Sequence, residues 1–146
     1  MSSQPPLFPE VHPASAVASI DGGSRGNPGP AGYGVRIERD DGTVVELKEG
    51  LGICTNNVAE YRGLIAALTW AVKHGVRTLH LRSDSELLVK QMRGEYRVKN
   101  AGLLPLVEEA RALVGRVGAV TFEHVRRELN TDADRLANEA IDSVTG

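Results

Sequence analysis

Four acidic residues stand where an α/β chain gathers its chemistry: Asp21, Glu60, Asp84 and Asp134. Asp21 follows the apolar run Ala16-Val17-Ala18-Ser19-Ile20 and meets a glycine-rich turn. Glu60 falls in the first turns of a helix opened by Thr55-Asn56-Asn57. Asp84 ends the run Leu79-His80-Leu81-Arg82-Ser83, and Asp134 opens the last helix in Asn130-Thr131-Asp132-Ala133-Asp134. Strand ends and helix starts let side chains be held over a rigid sheet. Carboxylates are hard oxygen ligands, so four that converge would hold Mg2+ or Mn2+.

Each acid alone has a structural use. Asp21 can start a turn with Gly22. Glu60 is three residues after Asn57 and Asp134 three after Thr131, both close to a capping box. Asp84 can cap the helix that follows it. The joint pattern is harder to explain in this way. Gathered carboxylates repel one another unless a cation compensates them, so a fold that collects them loses stability without metal. Other acids read more simply: Asp40 and Asp41 in a hairpin turn, Glu108 and Glu109 on a solvated helix face, Asp132 as a helix-start charge.

The elements that must position these residues follow from periodicity. Ala16 to Asp21 reads as a buried strand. Gly22 to Gly32 reads as a long turn, too rich in Gly and Pro for regular structure. Tyr33 to Arg39 alternates as a strand, Asp40-Asp41-Gly42 signals a hairpin, and Thr43 to Leu51 returns. Tyr61, Leu64, Ile65, Leu68, Ala71 and Val72 then recur at helical spacing up to Gly75. Val76 to Leu81 is a strand, which makes the intervening helix a right-handed parallel crossover. Ser85 to Met92 is a short helix ended by Gly94. Leu103 to Val114 is a longer one, with Leu106, Val107, Ala110, Leu113 and Val114 inward. Ala119 to Val125 is the last strand and Thr131 to Ser143 the last helix.

The 146 residues fit one compact domain, placed at residues 15–143 after a flexible proline-rich tail at 1–14. The 41% apolar content suffices for a core, and the net charge of −2 supplies no global field for a polyanion. Any nucleic-acid contact must come from a local basic face. Cys54 is the single cysteine, which excludes an internal disulfide and suits a reducing compartment. No apolar run reaches membrane-spanning length and the N-terminus lacks a signal-peptide pattern. The expectation is a cytoplasmic monomer with no membrane partner.

The chain resembles the ribonuclease H type 1 family, endonucleases that cut RNA in RNA–DNA hybrids. The matching segments are Asp21-Gly22-Gly23-Ser24-Arg25-Gly26-Asn27-Pro28-Gly29, Thr55-Asn56-Asn57-Val58-Ala59-Glu60, Ser83-Asp84-Ser85-Glu86, and Asn130-Thr131-Asp132-Ala133-Asp134-Arg135-Leu136-Ala137-Asn138. They run in family order from about residue 16 to 142 and nearly fill the domain. The four acids fall on the family's four catalytic acids. The resemblance implies a ribonuclease H-like α/β fold: a five-stranded mixed sheet, three antiparallel strands then two parallel ones, flanked by helices. It implies two divalent ions, Mg2+ with Mn2+ as the alternative, held by Asp21, Glu60, Asp84 and Asp134, with Asp21 bridging. The product would carry a 5′-phosphate and a 3′-hydroxyl. Gly22 and Gly23 would let the backbone approach RNA. Asn27, Asn56 and Asn57 match positions that contact the minor groove, where 2′-hydroxyls are read. Thr55 matches a DNA-phosphate contact, and Glu86 a residue that touches the RNA strand.

Two departures from well-studied bacterial members stand out. Only Arg93-Gly94-Glu95-Tyr96-Arg97-Val98-Lys99-Asn100-Ala101 occupies the place of their basic protrusion, so the chain falls in a branch lacking it. The loop before the last acid is short. His124 reads as part of a strand, and Arg127 is the residue expected to assist catalysis there. Two rival functions are a nuclease of the same fold acting on double-stranded RNA and a hybrid-binding module without catalysis. The second fits poorly with four intact acids.

Overall fold

The computed structural model describes residues 14–145. Nearly all of the proline-rich segment lies outside the described residues. The element order is β1 (Ala14–Ser24), β2 (Gly29–Arg39), β3 (Val44–Cys54), α1 (Asn56–Lys73), β4 (Val76–Ser83), α2 (Glu86–Met92), α3 (Leu104–Val117), β5 (Ala119–His124) and α4 (Thr131–Thr145). The five strands form one sheet in the order β3-β2-β1-β4-β5. β1 pairs antiparallel with β2, and β2 with β3. β1 pairs parallel with β4, and β4 with β5. This is the mixed sheet expected from the sequence.

Alternation along β2 shows why helices cover both faces. Val35 and Ile37 join the main core with Tyr61, Leu64 and Leu68 of α1, and Tyr33 packs at its edge. Gly32 and Gly34 point the other way, where an added Cβ would meet Ala140 or Leu136 of α4. On α3, Leu106, Val107, Ala110, Leu113 and Val117 are buried, and Val114 is half-buried. Thr55 caps α1, its Oγ1 accepting from Val58 N at 3.3 Å. Gly75 ends that helix region at φ +69°, a conformation that costs glycine little.

Gly22 to Gly32 is not one irregular turn. β1 runs on to Ser24 and β2 begins at Gly29, leaving Arg25 to Pro28 as the turn. Gly22, Gly23 and Gly32 are paired in register with Tyr33, Gly32 and Gly23. Two close helix contacts require the missing side chains there, so glycine marks packing rather than a break in the strand. β3 likewise extends to Cys54. The Arg93–Leu103 connection between α2 and α3 holds no further helix or strand, in keeping with a missing protrusion.

Candidate active site

Asp21 lies directly opposite Gly34 in the β1–β2 ladder, so both residues address the face covered by α4. A Cβ on Gly34 would stand 2.4 Å from Ala133 O and 2.6 Å from Ala137 N. Its absence lets the first turn of α4 settle on β2 and brings Asp134 toward Asp21. Gly22 does the same on the other face, where a Cβ would lie 2.4 Å from Ala59 C and 2.5 Å from Glu60 N. That close approach brings the early part of α1, with Glu60, against the end of β1. Asp84 arrives by register: Ile20 pairs with Ser83 at the last residue of β4, and Asp84 follows.

The four acids line one cleft of about 450 Å³, together with Gly22, Gly23, Asn56 and Arg127. None caps a helix. Thr55 caps α1 in place of Asn57, and Ser85 caps α2 in place of Asp84, its Oγ accepting from Leu88 N at 3.2 Å. The charge is poorly compensated. Burial pushes the Asp21 carboxyl up from 3.8 to about 8; the neighbouring Asp84 charge and a hydrogen bond shared with Asp134 add to this. Burial pushes Glu60 up to about 7, opposed in part by a hydrogen bond from Ser85. Asp84 is raised mainly by burial, against the pull of Arg127. Its side chain is 13% exposed, and Arg127 Nε, on a side chain 86% exposed, stands 4.0 Å from its Oδ2.

Asn130, 2% exposed, ties the site together. Its Nδ2 donates to Ile20 O at 2.9 Å, and its backbone carbonyl accepts from Asp134 N at 3.1 Å. The residue before Asp21 and the turn carrying Asp134 are thus joined directly. Asn130 was visible in the sequence only as the first residue of the final motif, with nothing to mark it as buried.

The remaining expected contacts spread outward. Asn56 Oδ1 accepts from Ser24 N at 2.7 Å, and Asn56 N donates to Asn27 Oδ1 at 2.9 Å. Asn57 lines a neighbouring groove of about 540 Å³ with Leu87, Gln91 and Tyr96. That groove is larger, but the ionisable cluster lies in the smaller cleft. Thr55 is occupied as a cap, and exposed Glu86 pairs with Lys90 at 3.6 Å. His124 ends β5 and is exposed, opposite Ser83. Arg127 begins a single 3-10 turn, Arg127–Leu129, and lines the cleft.

The donor set consists of hard oxygens, which suits Mg2+ or Mn2+ and not a soft thiolate-seeking metal. Among the described residues, no group of three or more His, Cys, Asp or Glu side chains is closed to metal-holding geometry. Burial and neighbouring negative charge both raise Asp21 and Glu60, and a bound cation would oppose that rise.

A mixed sheet whose central strand delivers an acid into a cleft shared with three more defines the ribonuclease H-like class. The reverse transcriptase-like family model matches residues 19–140. The chain is 50% identical over 129 residues to the bifunctional protein Rv2228c of Mycobacterium tuberculosis, covering 87% of this chain and 35% of that protein. The solved N-terminal RNase H domain of Rv2228c superposes with a TM-score of 0.87 at 49% identity, over 90% of this chain and 96% of that one. Ribonuclease HI of Halobacterium salinarum is 44% identical over 126 residues, 86% of this chain and 63% of the relative. LC11-RNase H1, solved in complex with an RNA/DNA hybrid, matches with a TM-score of 0.84 at 41% identity, over 90% and 99% of the two chains. The chain belongs to the ribonuclease HI family. It spans about a third of the length of the mycobacterial relative.

Proposed function

We propose that this protein hydrolyses the RNA strand of RNA–DNA hybrids at the Asp21–Glu60–Asp84–Asp134 cleft, giving 5′-phosphate and 3′-hydroxyl ends. The observation that carries the reading is the convergence of these acids on one cleft, with the caps of α1 and α2 supplied by Thr55 and Ser85 instead of Glu60 or Asp84. Family membership and the hybrid complex of LC11-RNase H1 support it.

Two divalent ions, Mg2+ or Mn2+, would be held by Asp21, Glu60, Asp84 and Asp134 and would supply the positive charge that activates water and stabilises the departing 3′-oxygen. The chain's own residues do the rest. Asp21, on a strand hydrogen-bonded along both edges, fixes the floor of the site. Glu60, Asp84 and Asp134 converge on it from three other elements. A guanidinium is a fixed cation with no acceptor, so Arg127 is suited to attracting phosphate and not to shuttling protons. Asn27 and Asn56 already use their carboxamide oxygens within the turn, so each offers N–H donors to a 2′-hydroxyl. Gly23 has nothing within 4 Å of an added Cβ, leaving room for the sugar–phosphate backbone. Gly22, Asn57, Thr55 and Glu86 complete the proposed contact surface, with Thr55 toward the DNA strand. A monomeric, cytoplasmic protein is part of the same proposal.

The test is a strand-labelled hybrid incubated with and without Mg2+, beside Asp84→Asn. Metal-dependent cleavage of the RNA strand, abolished in the variant, supports the reading. Hybrid binding with no cleavage under any metal would sink it in favour of a binding module. Duplex RNA and duplex DNA run in parallel distinguish a nuclease acting on double-stranded RNA.

A further inference from the structure

Arg25 lines the cleft from the turn between β1 and β2. Its Nη1 lies 2.7 Å from Asp142 Oδ1, and its Nη2 donates to Asn138 Oδ1 at 3.4 Å. Asn138 in turn donates through Nδ2 to Asp134 O at 2.9 Å. Asp134, Asn138 and Asp142 are four residues apart along α4, so they form one stripe beside the carboxylates. Arg25 spans from the glycine turn to this stripe. Among the described residues lining the cleft, it and Arg127 are the two permanent cations. They stand on different walls: Arg127 beside Asp84, Arg25 over α4.

A hybrid entering the cleft brings phosphates toward four acids. Arg127 compensates on the Asp84 side; the wall formed by α4 contributes Asp134, Ala137, Asn138 and Ile141 and no cation of its own, so Arg25 is the positive group beside it. The pairing that holds Arg25 is exposed, with side chains 46% and 65% accessible, and exposed pairs of this kind exchange readily. A guanidinium binds a phosphate through two parallel N–H donors, a stronger match than a pair open to water.

We propose that Arg25 is a substrate-binding residue: Asp142 and Asn138 park its guanidinium at the cleft rim, and on hybrid entry it transfers to an RNA-strand phosphate. The inference rests on the hybrid-cutting function proposed above. It separates Arg25 from a simple latch between the turn and α4. A latch makes Arg25 and Asp142 equivalent partners, whose loss has the same sign. A parked clamp makes them opposed, because Asp142 competes with substrate for the guanidinium.

The experiment measures binding of a fluorescein-labelled RNA–DNA hybrid by anisotropy with divalent metal chelated, and kcat and KM with Mg2+. The proteins are wild type, Arg25→Ala, Arg25→Lys, Asp142→Asn and the double variant Arg25→Ala/Asp142→Asn. Arg25→Ala is expected to weaken binding and raise KM by about five- to tenfold, with kcat changed less than twofold. The slope of log affinity against log salt should fall by about 0.7–0.9, one phosphate contact. Arg25→Lys should restore part of the affinity. Asp142→Asn should tighten binding in the wild-type background and do nothing without Arg25. Weakening by both single variants, or an equal gain from Asp142→Asn in the Arg25→Ala background, would overturn the parked clamp. An unchanged Arg25→Ala would also overturn it. Wild type that neither binds nor cuts the hybrid refutes the functional reading instead, and the two failures are told apart in the same plate.

Discussion

Asn130 reaches from the turn before α4 to the carbonyl of Ile20, donating Nδ2 over 2.9 Å to the residue just before Asp21. A buried side-chain amide thereby sets the spacing between the strand end that carries one acid and the helix that carries another. Asn130→Ala leaves the Ile20 carbonyl without this partner inside the protein, at an expected cost of about 1–3 kcal/mol. Urea unfolding measures the loss. Turnover should fall more than tenfold at temperatures where the variant is still folded. Full turnover in a destabilised variant would remove the positioning role.

The pH response of the metal-free protein follows from the raised acids. Asp21 ionises near 3.8 when unfolded and at about 8 when folded, and Glu60 moves from 4.5 to about 7. Between those values the unfolded chain gives up protons that the folded one keeps. The folded state binds more protons, so stability is greatest below about pH 4 as far as these groups are concerned and declines as pH rises to about 8. Thermal unfolding in chelator should show Tm falling over this window. Asp21→Asn should flatten the fall and raise Tm at pH 8, and Mg2+ should raise the wild-type Tm there. A wild-type profile flat across the window would contradict the uncompensated cluster.

Gly22 and Gly23 are neighbours with different obligations. A Cβ on Gly22 would drive into the backbone of Ala59 and Glu60 at 2.4–2.5 Å, whereas one on Gly23 meets nothing within 4 Å. Gly22→Ala is expected to cost about 1–3 kcal/mol through overpacking and to displace Glu60. Gly23→Ala should leave Tm within about a degree and act on KM alone. Circular dichroism melts beside steady-state kinetics read both; equal melting of the two variants would disprove the distinction.

Arg127→Ala should cut turnover clearly, and His124→Ala should matter less. Arg127 lines the cleft beside Asp84, while His124 is an exposed strand residue. Matched single-turnover assays decide the order, and the reverse order refutes the assignment.

Without a helix between Met92 and Leu104, the connection carries only Arg93, Arg97 and Lys99 as cations, and of these Arg97 and Lys99 line the groove. Hybrid binding should therefore be weak and steeply salt-sensitive. Measured KM should climb severalfold from low to moderate salt; a flat response would argue for a stronger basic surface elsewhere.

The strand and helix order was legible because buried alternation and helical spacing are local signals, as at Val35 and Ile37 or along Leu64, Ile65 and Leu68. The acids were legible because they sit at element ends within recognisable motifs. What stayed hidden was long-range. Nothing near Gly22 or Gly34 in the sequence says that a helix backbone presses on it from far along the chain, and Gly22, Gly23 and Gly32 read as turn where they are strand. The same holds for Asn130, whose burial depends on β1, and for Arg25, whose partners lie on α4. Capping by Thr55 and Ser85 in preference to Asn57 and Asp84 was a choice between adjacent candidates that local chemistry alone does not make.

β1 lies in the middle of the sheet, bonded to β2 along one edge and to β4 along the other, and Asp21 belongs to it. Four residues later the same chain leaves the sheet at Arg25. Amide exchange should be slowest along the strand and quick in the bend beyond it. Durability and adaptability are thus divided within a few consecutive residues: an anvil that holds still, and beside it a rim free to adjust to whatever strand is laid across it.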